Sequence, residues 1–138
     1  MIGLDTNVLA RYYIDDAANT QSGKQRLQAR ELMESGQTLM VCKTVLLEFE
    51  WVMRGYYGFK PDDVLTVFRH LLSLQHIEIE DRATVNNAIS GLEEGLDFAD
   101  VLHHASYRSC ESVASFDDRK FARRVNKLGM MPRVFVPG

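Results

Sequence analysis

At 138 residues, 46% of them hydrophobic and 25% charged, the chain is long enough to bury a core and too apolar to be disordered. A formal net charge of −3 excludes a protein that coats nucleic acid by overall charge, while leaving room for a local basic patch. Two cysteines, Cys42 and Cys110, exclude a disulfide scaffold, and no uncharged apolar run approaches the roughly 18 residues that cross a bilayer.

The predicted elements alternate along one uninterrupted domain, residues 1–138, with no repeat or linker. "MIGL" at 1–4 reads as a strand and leads into a helix over about 7–13. "GKQRLQARELMESG" at 23–36 spaces Leu27, Ala29, Leu32 and Met33 for a helix, with Gly36 as its C-terminal cap. "TLMVC" at 38–42 is a second strand, followed by a helix over about 44–56. Pro61 suits a first helical turn, Asp62 and Asp63 favour its positive end, and Val64, Leu65, Phe68, Leu71 and Leu72 continue at helical spacing.

"IEIE" at 77–80 is a short strand, and Asp81 is placed to cap the helix "RATVNNAISGL". A helix follows from near Asp97 in "LDFADVLHHASYR", then a strand "SVASF" at 112–116 and a helix "DRKFARRVNKL". "RVFV" at 133–136 closes the series between Pro132 and Pro137. Strand and helix in alternation predict an α/β fold in three α/β/α layers, around a central, mainly parallel sheet of 4–5 strands. Ligands of such sheets bind beyond the carboxyl ends of the strands.

Acids stand at those ends. Asp5 ends the first strand, and a strand covered on both faces rarely ends in a charge without a reason. Asp117 follows Phe116 at the end of "SVASF", with Asp118 beside it. Glu48 sits in an otherwise apolar helix, whereas Glu50 is read as its solvent edge. Asp100 lies one turn into its helix, three residues after Asp97, which reads first as a cap. Two carboxylates about 4 Å apart repel by roughly 4 kcal/mol at an effective dielectric near 20. Gathering several would consume much of a domain's ~5–15 kcal/mol of stability unless a cation joined them. All-oxygen ligands suit Mg²⁺ or Mn²⁺.

"IGLDTNVL", "VLLEFEWVM", "GLDFADVLHHA" and "SFDDRKFAR" resemble, in order and spacing, the four acidic motifs of the PIN-domain nucleases, and most nearly the VapC-type toxins of toxin–antitoxin pairs. The resemblance spans residues 1 to about 128. It implies a Mg²⁺- or Mn²⁺-dependent endoribonuclease, dimeric, and neutralised by a small VapB-like antitoxin. Its catalytic acids fall on Asp5, Glu48, Asp100 and Asp117, with Asp5, Asp100 and Asp117 as metal ligands. Thr6 and Ser115 match hydroxyl positions that support the acids, and Asp97 is an additional supporting acid. The doubled acid leaves Asp117 and Asp118 as alternatives for facing the metal; Asp117 is preferred because it directly follows the strand.

The expected chemistry is attack of a metal-activated water on an RNA phosphodiester, leaving a 3′-hydroxyl and a 5′-phosphate. A non-catalytic module of the same fold, or a nuclease acting on DNA or structured ends, is the alternative. Between 108 and 133 seven Lys or Arg stand against three acids, so Arg119, Lys120, Arg123 and Arg124, beside Asp117, are the candidate RNA contacts. Arg11 is expected to reach the cleft or an antitoxin carboxylate, and the aromatic residues Tyr12, Tyr13, Trp51, Tyr56 and Tyr57 to serve mostly the core or a dimer face, with one of them open to stack on a base. His103 and His104 diverge by about 100° on a helix, which argues against a shared zinc ion. The absence of a signal-peptide pattern makes the cytoplasm the expected compartment, with no membrane association.

Overall fold

In the computed structural model, residues 1–16 and 20–138 are described, Thr20 by its backbone alone. The chain divides into two units, Met1–Asp81 and Arg82–Gly138.

The first unit begins with β1 (Ile2–Gly3), β2 (Leu39–Val41) and β3 (Ile77–Ile79), which pair in parallel in the order β1-β2-β3. Ile2 stands opposite Leu39, and Leu39 opposite Ile77. Leu39, Val41, Ile77 and Ile79 are buried, the period-2 pattern of a strand with one face on the core. Parallel strands need long crossovers. The first is α1 (Thr6–Tyr13) with α2 (Thr20–Met33), after which Gly36 turns the chain at φ 80°, a conformation glycine adopts without strain. The second is α3 (Lys43–Trp51), a π-helical turn (Val52–Tyr56) and α4 (Pro61–Ser73). Pro61 opens α4 as expected, and Asp63 Oδ2 accepts from the Lys60 amide at 3.3 Å. Leu46, Phe49, Met53 and Phe68 are fully buried, with the Phe49 and Phe68 rings edge to face at 6.4 Å.

The second unit holds α5 (Arg82–Glu93), α6 (Phe98–Ser106), β4 (Ser112–Ala114), a π-helical turn (Asp118–Ala122), α7 (Arg123–Lys127) and β5 (Arg133–Phe135). Gly95, at φ 87°, turns the chain between α5 and α6. The two helices approach so closely that a Cβ on Gly91 would lie 2.5 Å from Val101 Cγ1. β4 and β5 pair in parallel with Val113 opposite Val134. Asn126 fastens β5 to α7: its amide donates to Val134 O at 2.7 Å and accepts from Val134 N at 2.9 Å. Buried His104 hydrogen-bonds through Nε2 to Pro132 O at 2.7 Å, while neighbouring His103 is exposed.

The α/β class and the parallel pairing follow the sequence, with three differences. Among the described residues the strands, each two or three residues long, form one parallel set of three in the first unit and one of two in the second. β1 is exposed at both residues, so Asp5 does not end a strand covered on both faces; Leu4 is the buried residue beside it. The predicted helices over 44–56 and 118–128 are each part α, part π, since a π turn widens the helix by one residue per turn without breaking its hydrogen bonding. Among the described residues no helix is long and apolar enough to cross a membrane.

Candidate functional site

The first unit places Asp5 and Glu48 on one cavity of about 380 Å³, together with Thr6, Arg11, Asp16 and Trp51. Asp5 is the N-terminal cap of α1: its extended backbone frees Oδ1 to accept from the Thr6 amide at 2.9 Å. Glu48 is exposed on α3, on the side opposite the core stripe.

Glu50 departs from expectation. It is 3% exposed, and Oε2 accepts from Arg54 Nε at 2.8 Å. The reason is helical geometry, because Leu46, Phe49, Glu50 and Met53 form one i, i+3, i+4, i+7 stripe on the buried face. Arg54, four residues on, supplies the counter-charge that a buried carboxylate requires.

Thr6 Oγ1 is the site's clearest unfilled requirement. The residue is 6% exposed, and its hydroxyl has no hydrogen-bond partner among the described residues. An orphaned buried hydroxyl costs about 1–3 kcal/mol. Asp16, which sequence reasoning passed over, lines the same cavity and accepts from the Tyr57 hydroxyl at 3.3 Å. It stands just beyond the end of α1, where no periodicity marks it.

The second unit gathers the other acids. Asp97 caps α6, its Oδ2 accepting from the Asp100 amide at 3.1 Å. Burial raises the Asp100 carboxyl above its ordinary range, the charges of Asp97 and Asp117 raise it further, and His103 partly offsets them. Asp117 caps the second π turn, Oδ1 accepting from the Lys120 amide at 3.1 Å, and its own amide donates to Ser115 Oγ at 3.1 Å. Asp118 instead pairs with Arg123 at 2.7 Å. The doubled acid thus divides: Asp117 acts on Asp100, and Asp118 is neutralised by a neighbour. Arg119, Lys120 and Arg124 are exposed, whereas Arg123 is committed to Asp118.

The donor chemistry suits a hard divalent cation. Among the described residues no three His, Cys, Asp or Glu side chains stand close enough to share one ion. Mg²⁺ does not require three, since it keeps several waters and is commonly held by one or two carboxylates. Asp5 and Glu48 line one cavity and are the two carboxylates that would hold such an ion there.

No family model matches the chain, and no curated protein or solved structure does either.

Proposed function

We propose that this chain is a metal-dependent endoribonuclease of the PIN-domain, VapC-toxin kind: one three-layer domain, dimeric and cytoplasmic, held inactive by a VapB-like antitoxin. The observation that carries the reading is the single cavity that the carboxylates of Asp5, Asp16 and Glu48 line together. Asp100, pushed towards its protonated form by burial and by two further carboxylates, adds to it: such crowding is costly unless a cation is its purpose. The four motifs quoted above supply the order of the acids along the chain.

A bound Mg²⁺ or Mn²⁺ supplies Lewis acidity and a readily deprotonated water. The side chains do the rest. Asp5 and Glu48 hold and orient, and the α1 amide bonded to Asp5 fixes that carboxylate's angle. Asp100, whose ionisation is disfavoured by burial and by the charges of Asp97 and Asp117, would be a further carboxylate for positive charge, with Asp117 held near it by the Lys120 amide. Arg119, Lys120 and Arg124 offer positive charge to flanking phosphates, which makes binding salt-dependent. Cleavage leaves a 3′-hydroxyl and a 5′-phosphate.

The test is cleavage of total RNA in Mg²⁺, in Mn²⁺ and in EDTA, by the wild type and by Asp5→Asn. Cleavage in either metal that stops with EDTA and with the variant supports the proposal. Undiminished cleavage by Asp5→Asn refutes it, and cleavage of DNA alone favours the alternative nuclease.

A further inference from the structure

We infer that the cavity of the first unit also carries a strand-binding surface, in which Trp51 stacks on an unpaired base and Arg11 meets the adjoining phosphate. The inference rests on the nuclease reading for the identity of the strand.

Trp51 is the chain's single tryptophan, and it is 57% exposed on the cavity that Asp5 and Glu48 line. A ring of this size normally contributes to a core; left open beside charged groups, it marks a surface kept for a guest. The indole is held in place. A Cβ on Gly55, one turn further on, would sit 3.2 Å from Trp51 Cε2 and 3.4 Å from Nε1, so the absence of a side chain there lets the ring lie against the helix. Tyr56, 72% exposed, lines the cavity as well and is braced edge to face on Tyr57 at 4.8 Å.

Arg11 adds the charge. Its Nε donates to Gln25 Oε1 at 2.8 Å, which steadies the side chain, and the residue lines the cavity. A cationic guest would gain from the acids and the indole but would be repelled by Arg11. A nucleotide satisfies all three features, with a π face for Trp51, a phosphate for Arg11 and a phosphodiester for the acids. The base must be unpaired, because a duplex hides its faces in its own stack. Stacking of this kind is tolerant of sequence, so Trp51 sets strandedness and not base identity.

The reporter is built in. With EDTA present to prevent cleavage, Trp51 fluorescence is titrated with a single-stranded RNA of about 12 mixed nucleotides, with the same RNA as a duplex, and with a tetra-arginine peptide. The inference predicts quenching by the single strand, little by the duplex, and binding about tenfold weaker in Arg11→Gln. In Mg²⁺, Trp51→Ala should raise the KM for cleavage about tenfold with kcat within about twofold and melting unchanged. No response to single-stranded RNA, an equal response to the duplex, or a response to the peptide alone overturns it. Quenching without any cleavage in Mg²⁺ would remove the nuclease reading and keep the stacking surface, and cleavage without quenching would do the reverse.

Discussion

Replacing Gly91 by Ala tests the packing that sets α6, and Asp100 with it. A methyl there would lie 2.5 Å from Val101 Cγ1 and 2.9 Å from Val101 Cβ, against an ordinary carbon–carbon contact of about 3.5–4.0 Å. Rotating Val101 moves Cγ1 away but leaves Cβ, which is fixed to the backbone. The two helices must therefore separate by a few tenths of an ångström to 1 Å. Overpacking of this kind costs about 1–3 kcal/mol, and the better helix propensity of Ala returns at most about 1 kcal/mol. The expected net loss is about 1–2 kcal/mol, a melting temperature lower by about 3–8 °C in circular dichroism. Val101→Ala added to Gly91→Ala should recover part of the loss, a coupling that a double-mutant cycle reads directly. A Gly91→Ala protein as stable as the wild type, or more so, would refute the claim that α5 and α6 meet through this glycine.

Other perturbations have equally definite signs. Because Asp100 has a folded-state pKa above its unfolded value, it favours the fold fully at pH below the unfolded value and loses that contribution as pH rises through the folded one. Asp100→Asn without metal should then melt higher than the wild type at neutral pH, with the gap closing as the pH is lowered through the carboxylate range; a constant gap would contradict the assigned cause. Arg54→Ala, which strands the buried Glu50 carboxylate, should cost about 3 kcal/mol in denaturant unfolding, and Glu50→Gln, which keeps a hydrogen-bonding partner, about 1 kcal/mol. Equal losses would mean the charge is not what Arg54 satisfies.

Much of the order of elements was legible where a helix carries a stripe of apolar residues or a marked start. Pro61 with Asp62 and Asp63 located α4, and Val64, Leu65, Phe68 and Leu71 are the residues it buries. Gly36 marked a turn through its freedom at positive φ. The π turns were not legible, since 52–56 and 118–122 carry no residue that distinguishes a widened turn from an α-helical one. Glu50 was misread from its charge, although its spacing from Leu46, Phe49 and Met53 already put it on the buried face. Of the candidate site, residue types and motif spacing marked Asp5 and Glu48, which share a cavity, and Asp100 and Asp117, which feel one another's charge. Asp16, the orphaned Thr6 hydroxyl and the Gln25 brace on Arg11 depend on side-chain directions that no spacing encodes.

Calorimetric titration of the metal-free protein with Mn²⁺ at neutral pH, followed by Mg²⁺ competition, reads whether the carboxylates of the cavity bind a cation. Binding should be evident in the wild type and reversed by excess Mg²⁺, and it should be lost or severely weakened in both Asp5→Asn and Glu48→Gln. A protein that takes up no Mn²⁺, or variants that take it up as the wild type does, would mean that these carboxylates do not serve a cation.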